Sequence, residues 1–347
     1  MSGGFTWRDA GRTVVFRRGG LARALEVLRE HGVEEFELLS TERALAELGG
    51  AEDLAAAASR VHEVAHAQVP AAAAPLLDAL AHPHDAGKGA RARPLVALGG
   101  GRVVDVAKAV AAVSGVEVVA IPTTLSGAPM TAIHRLPEGA EERAKGMARP
   151  SLVIADPESM TGQEERELRA SAMNALAHGA DTLYLPGSNP VSEMTALRGA
   201  GLIASALDEE REERDRAALA LGAILCGYAI DSAGLGLHHV ICQTLVRVCG
   251  TPHAETNAAI LPQAVGFLVE RAPEAFESLA TSLGVDLPGL PRRIEELGQP
   301  QRLGTLGGKE SRLNEALDAM LKRPELQRVP SSSPSRDDLS DIVRAAW

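Results

Sequence analysis

The strongest constraint on the fold is a run of three glycines, Gly99-Gly100-Gly101, between two apolar segments. The pattern of Pro94–Leu98 is typical of a buried strand, and that of Val103–Val113 is typical of a helix. Glycine permits positive φ angles and lets a phosphate approach the backbone. The free amides and the positive dipole end of the following helix also attract anions. We therefore expect a phosphate-binding turn in an α/β domain, although its pattern is not G-x-G-x-x-G.

Short apolar strands alternate with helical segments in the first part of the chain, which predicts a mostly parallel sheet covered on both faces. The expected strands are Arg12–Phe16, Glu35–Ser40, Pro94–Leu98, Glu117–Ile121 and Leu152–Ala155, and Leu54–Arg60 is among the expected helices. After Pro157 long Ala/Leu/Glu/Arg segments follow, which favour helix. We place an α/β domain over residues 1–157 and an all-helical domain over residues 158–347.

Composition excludes several classes of protein. The formal net charge is −11 and no long basic stretch occurs, so nucleic acid is not an expected partner. Met1–Phe16 lacks the apolar core of a signal peptide, and no apolar run reaches the roughly 18 residues of a membrane span. We expect a cytoplasmic protein with no membrane partner.

Polar residues near the glycine run are candidates for cofactor binding. Thr123 and Thr124 follow the next strand, so their hydroxyls could bind phosphate or ribose, or cap a turn. Asp105 and Lys108 lie three residues apart on one helix. A surface pair between these two is the favoured interpretation, and contact with ribose is the alternative.

If the phosphate belongs to a nicotinamide dinucleotide, the residue after the second strand often decides between NAD and NADP. Ser40 and Thr41 stand there and are neutral, whereas Arg43 could meet a 2′-phosphate. Both cofactors therefore stay open.

A second group of candidates lies in the helical part. Asn174 and His178 are four residues apart, and so are His239 and Gln243, while His253 follows a proline. Residues four apart share one face of a helix. Three histidines and an amide could bind one cation of the iron or zinc type, or could be hydrogen-bonded histidines that line a cleft.

Taken together, these motifs resemble those of the iron-containing alcohol dehydrogenase superfamily, most of all its maleylacetate reductase branch. The family's G-G-G-S-x-x-D-x-x-K stands here as Gly99 to Lys108, and its P-T-T stands as Pro122-Thr123-Thr124. The branch's S-G-M-N-A-x-A-H is nearly intact as Ser171 to His178. Its H-H-x-x-C-H is matched by His238 to Gln243, and its P-H-A-E-T by Pro252 to Thr256.

The resemblance implies an α/β nucleotide-binding domain, an all-α domain, an active site in the cleft between them, and a homodimer. The cofactor-binding residues that we expect are Gly99, Gly100, Gly101, Arg102, Val103, Asp105, Lys108, Thr123, Thr124 and Ser126, with Ser40 and Thr41. Metal-dependent members bind their ion through one Asp and three His, at the positions of Asn174, His178, His239 and His253. The Asp is replaced by Asn here, as in the maleylacetate reductases, so we expect no metal.

Four departures from the family pattern stand out. Arg102 replaces a small residue after the glycines, and Arg17 replaces a glycine. Ala128-Pro129 interrupts the segment after P-T-T, and Gln243 stands where a histidine is common. Glutamine cannot act as an acid or base near neutral pH.

The leading hypothesis is a reductase that transfers a hydride from NADH or NADPH to a small anionic oxo-acid or conjugated carbonyl. The candidate catalytic residues are His178, His238, His239 and His253, of which we favour His239 and His253. One alternative is an Fe²⁺- or Zn²⁺-dependent alcohol dehydrogenase. The other is a diverged non-redox enzyme or binding protein that retains the dinucleotide site.

Overall fold

The protein is described by a computed structural model that covers residues 11–81 and 93–347, so the first ten residues of the segment tested for a signal peptide lie outside the described residues. The chain forms two compact units. One holds Arg8–Gly162, and the other holds Gln163–Trp347.

The first unit is built around a six-stranded parallel sheet. In chain order its strands are β1 (Thr13–Phe16), β2 (Glu37–Ser40), β3 (Arg60–Glu63), β4 (Leu95–Gly99), β5 (Val118–Pro122) and β6 (Leu152–Ala155). Its helices are α1 (Ala24–Glu30), α2 (Glu42–Glu47), α3 (Ala51–Ala57), α4 (Val69–Ala81), α5 (Gly101–Ser114) and α6 (Pro157–Met160). The strand order is β1-β6-β5-β4-β2-β3, and every pairing is parallel, which confirms the predicted fold class.

The register of β4 and β5 brings two predicted motifs together. All residues of both strands are buried, as expected for central strands covered on both faces. Gly99 pairs with Pro122 at the carboxyl ends, and the Thr123 amide donates to the Gly99 carbonyl at 3.1 Å. The glycine run and the threonines therefore lie side by side at one edge of the sheet.

One strand contradicts the sequence prediction. The helix expected over Leu54–Arg60 is α3, which ends at Ala57, and Arg60–Glu63 forms the edge strand β3. Of these four residues only His62 is buried, where its ring nitrogen lies 2.5 Å from Glu37. A strand with a single buried polar side chain carries no apolar alternation, so the pattern did not reveal it.

The second unit is helical throughout its regular structure. Its helices are α7 (Glu165–Tyr184), α8 (Pro190–Asp208), α9 (Arg216–Ala233), α10 (Leu237–Cys249), α11 (His253–Val269), α12 (Pro273–Ser282), α13 (Leu290–Gly298), α14 (Leu313–Leu321) and α15 (Arg336–Ala346). The change in the sequence from β-branched segments to Ala- and Leu-rich segments correctly predicted that the second part of the chain is helical.

Helix α9 is long and apolar enough to cross a membrane, with a mean hydropathy of 1.3, although we expected no such run. However, 56% of it is buried, and it packs closely against α8. A Cβ on Gly222 would lie 2.8 Å from the Gly199 carbonyl oxygen, so glycine permits this close approach. These contacts are those of a core helix.

A buried ion network connects the beginning of α7 to other parts of the helical unit. Arg214, whose side chain is 2% exposed, donates to both carboxylate oxygens of Glu165 at 2.6 and 2.9 Å. Arg169 donates to the same carboxylate at 2.6 Å and to the Leu297 carbonyl at 2.8 Å. The bonds from Arg214 and Arg169 lower the pKa of Glu165, although burial opposes them.

We expect Glu165→Gln to lower the free energy of unfolding by about 2–3 kcal/mol at pH 7, because it leaves the buried Arg214 without its counter-ion. Since the folded-state pKa of Glu165 lies below its ordinary value of 4.5, the stabilisation is present above that pH. It is lost as the pH falls through the folded-state pKa. Urea unfolding of both proteins from pH 7 to pH 3 measures this difference.

The control is Glu164→Gln. Glu164 is 83% exposed and lies 4.0 Å from Arg211, so its replacement should cost under about 0.5 kcal/mol. Equal losses in the two variants, or a difference that does not change between pH 7 and pH 3, would contradict this account of Glu165.

Candidate functional site

Close packing favours glycine at all three positions of the turn. None of them has a positive φ, so the conformational part of our expectation was wrong. A Cβ on Gly99 would lie 2.6 Å from Cγ2 of Val103, and one on Gly101 would collide with Oγ of Ser126. The turn is therefore a tight cradle formed by α5 and by the segment after β5.

Helix α5 begins in this turn with its positive end unbalanced by acidic residues. Its first turn holds no Asp or Glu and instead holds Arg102, whose Nε is buried without a hydrogen-bond partner among the described residues. Arg17 Nη2, after β1, is also buried and has no hydrogen-bond partner in the part of the chain that the structure describes. A cation at the positive end of a helix is destabilising unless an anion is nearby. These groups fit the diphosphate of a dinucleotide.

Lys108 and Asp105 form the expected pair at 2.8 Å, but the pair is not on the surface as we predicted. Lys108 is fully buried and donates to the carbonyl oxygens of Ala128, Thr131 and Ile133 at 2.9, 3.0 and 2.9 Å. A buried ammonium requires such partners. Lys108 thus holds the segment that follows the P-T-T motif against α5.

The other predicted cofactor-binding residues lie at the same edge of the sheet. Thr124 packs against the turn, because a Cβ on Gly100 would lie 3.1 Å from its Cγ2. Ser40 donates to the Leu98 carbonyl at 2.8 Å, and Thr41 caps α2 by accepting from the Ala44 amide at 3.2 Å. Ser40 and Thr41 therefore already have backbone partners.

The helical unit brings the predicted histidines into one cluster. The rings of His178 on α7 and His239 on α10 are stacked, with centroids 4.7 Å apart. His238 meets His239 edge-on at 4.9 Å. Asn174 is buried one turn before His178, whereas His253 begins α11 and is exposed.

A buried carboxylate that the sequence analysis missed organises this cluster. Asp181 accepts from Nδ1 of His239 at 2.6 Å and from the Gly236 amide at 3.0 Å, and its other oxygen accepts from the Tyr184 hydroxyl at 2.8 Å. Burial alone would raise the pKa of Asp181, but the bond and charge of His239 outweigh it and lower the pKa. The only sequence signal was spacing, because His178, Asp181 and Tyr184 recur every three residues on α7.

Two histidines of the cluster have lowered pKa values, which favour their neutral forms. Burial, reinforced by neighbouring histidines, lowers the pKa of His178 well below its ordinary value. Burial also lowers the pKa of His238 to about 3. Nε2 of His238 lies 3.1 Å from the Asn257 carbonyl, which can only accept, so this nitrogen carries the proton.

Gln243 also has a defined partner. Arg323 donates to its side-chain oxygen at 3.3 Å and forms an ion pair with Glu325 at 2.6 Å. The glutamine that replaces the family's histidine therefore binds a neighbouring side chain and contributes no titrating group.

The donor set does not match that of the metal-dependent members. Nδ1 of His178 and Nε2 of His239 are buried and have no hydrogen-bond partner within residues 11–81 and 93–347, as would be expected of metal-ligating nitrogens. However, Asn174 is neutral, and the nearby carboxylate of Asp181 is occupied by three donors. Ligand atoms of Asp181, His238 and His239 lie within 4.8 Å of one another, but Asp181 and His239 bond each other and His238 bonds a carbonyl. The cluster, as the described residues form it, therefore offers no free carboxylate to balance the positive charge of an iron ion.

The chain is similar in sequence and in fold to known reductases. Maleylacetate reductase of Burkholderia cepacia is 35% identical over 261 residues, which cover 73% of both chains. The Pseudomonas aeruginosa enzyme is 30% identical and covers 96% of this chain and 95% of its own. The crystal structure of maleylacetate reductase from Agrobacterium tumefaciens superposes with a TM-score of 0.83 at 28% identity, covering 99% and 98% of the two chains.

Two family models match almost the entire chain. The model for iron-containing alcohol dehydrogenase matches residues 11–157, and the model for the C-terminal part of the Fe-containing alcohol dehydrogenase family matches residues 169–347. This chain belongs to the iron-containing alcohol dehydrogenase family.

Proposed function

We propose that the protein is an NADH- or NADPH-dependent reductase of the maleylacetate reductase type, which reduces a small anionic oxo-acid or conjugated carbonyl without a metal ion. The observation that carries the proposal is the histidine cluster, which is kept while the family's metal-binding aspartate is Asn174. The names of the relatives similar to this chain support the substrate class. A cytoplasmic homodimer stays our expectation from the family resemblance.

The nucleotide-binding role falls to the first unit. Gly99, Gly100 and Gly101 keep side chains away from the turn, and Arg102 adds a positive charge to the beginning of α5. We assign the diphosphate to this turn and place Thr123 and Thr124 beside it. The nicotinamide supplies the hydride when the cofactor is bound.

The helical unit supplies hydrogen bonds to the substrate. Reduction of a carbonyl places negative charge on oxygen, which a positioned donor stabilises. Because Nδ1 of His239 donates to Asp181, Nε2 is the nitrogen left for that oxygen, and it must take up a proton before it can donate to it. His253 is exposed and is our candidate for a substrate carboxylate. His178 and His238 are neutral and take part as packing and hydrogen-bonding groups.

The direct test is to mix the purified protein with NADH or NADPH and maleylacetate, and to follow the loss of nicotinamide absorbance. We expect oxidation of at least one dinucleotide, and a loss of about 100- to 1000-fold in kcat for His239→Gln. Dinucleotide binding with no turnover of maleylacetate or of any related oxo-acid or aldehyde would favour the non-redox alternative.

Metal analysis tests the second part of the proposal. We expect well under one iron or zinc ion per chain, and unchanged activity after dialysis against EDTA, because the cluster has no free carboxylate ligand. Stoichiometric metal whose removal abolishes activity and whose return restores it would instead favour a metal-dependent alcohol dehydrogenase.

Arg102→Ser tests the cofactor site. If the guanidinium contacts the diphosphate, the dissociation constant for the dinucleotide should rise about 10-fold, a typical effect for a charge-assisted bond. The effect should shrink at high salt. Fluorescence or calorimetric titration measures the constant. Arg18→Ser, at an exposed position, is the matched control and should bind as the wild type does. Tighter binding by Arg102→Ser would mean that Arg102 crowds the site.

A further inference from the structure

We infer that Asp181 is a positioning residue that holds His239 in one tautomer and one orientation for the reduction proposed above. This inference rests on the proposed function for its kinetic part only. Its structural part concerns the helical unit alone and can be tested without turnover.

The carboxylate determines which nitrogen of His239 carries the proton. Asp181 is 1% exposed, and one of its oxygens accepts from the Gly236 amide while the other accepts from the Tyr184 hydroxyl, so the carboxylate acts as an acceptor. Nδ1 of His239, at 2.6 Å, must therefore donate. Nε2 is left buried and without a hydrogen-bond partner among the described residues.

The neighbouring rings alone do not determine this orientation. His178 lies against one face of His239, and His238 approaches it edge-on, with centroids 4.7 and 4.9 Å away. Such contacts limit the tilt of a ring, but a ring turned by half a revolution about its Cβ–Cγ bond has nearly the same shape. Among the described residues, it is the directional bond to Asp181 that distinguishes the two ring nitrogens.

The same carboxylate also fixes the beginning of the helix that carries His239. Asp181 accepts from the Gly236 amide at 3.0 Å, and Tyr184 accepts from the Leu237 amide at 2.7 Å. A Cβ on Gly236 would collide with the Tyr184 hydroxyl and lie 2.7 Å from Asp181 Oδ1. Asp181 and Tyr184 thus satisfy two backbone amides that have no partners within the helix. Ring orientation and helix position depend on one charged group.

Three variants separate these roles. Asp181→Asn keeps the shape but removes the charge, and its amide can either accept from or donate to Nδ1. Asp181→Glu keeps an acceptor-only carboxylate on a longer side chain. Tyr184→Phe removes a hydrogen bond to Asp181 and the acceptor for the Leu237 amide, while the contact with His239 is preserved.

The first measurement is NMR of protein labelled with ¹⁵N-histidine at pH 8, with the His239 signals assigned by their loss in His239→Gln. We expect the Nδ1-protonated tautomer in the wild type, Asp181→Glu and Tyr184→Phe. In Asp181→Asn we expect a mixture or the Nε2-protonated form.

The second measurement is kinetic. Asp181→Asn should lower kcat by about 10- to 100-fold, a typical effect for the residue behind a functional histidine. KM and the dinucleotide dissociation constant should stay within about twofold, and Asp181→Glu should recover most of kcat.

An Nε2-protonated His239 in the wild type, or an unchanged tautomer in Asp181→Asn, would overturn the inference. So would equal losses of kcat in Asp181→Asn and Tyr184→Phe, since that points to a general weakening of the helix start. If Asp181→Asn does not fold, two results still test the inference: the His239 tautomer in the wild type, and whether Asp181→Glu keeps that tautomer and most of the wild-type kcat. If no oxo-acid is reduced by the wild type, the proposed function fails while the NMR result stands by itself.

Discussion

The arrangement of the histidine cluster depends on one buried negative charge. Asp181 is enclosed by its own helix, by the beginning of α10 and by the ring of His239, and each of its neighbours donates a hydrogen bond to it. A buried carboxylate is costly unless it is satisfied in this way. Burial of Asp181 is therefore favourable only in a structure where Tyr184, Gly236 and His239 all donate to its carboxylate.

The nucleotide-binding unit uses the opposite charge in the same way. Lys108 is fully buried, and its ammonium is satisfied by Asp105 and by backbone carbonyls of the segment after the P-T-T motif. The segment is thereby held where Thr124 and Ser126 press against glycines that can have no side chain. In each unit a single buried charge gives an irregular segment a defined position, which regular secondary structure alone would not do.

Much of this could be predicted from sequence because it is local. Buried parallel strands are continuous apolar runs, glycine runs mark tight turns, and residues four apart share a helix face. Asn174 and His178 were therefore placed correctly on one helix. The prediction was wrong where local patterns are weak. The strand Arg60–Glu63 has little apolar character, and the pairing of Lys108 with distant carbonyl groups gives no local signal.

The sequence by itself determined the change from α/β to helical architecture, the family and the residue types available for chemistry. Only the tertiary structure decided which groups meet. It placed Asp181 against a histidine 58 residues away and Lys108 against a loop 20–25 residues away, and it made His178 and His238 neutral through burial. The physical reason is that desolvation and hydrogen bonding depend on neighbours in space, which residue spacing along the chain does not specify.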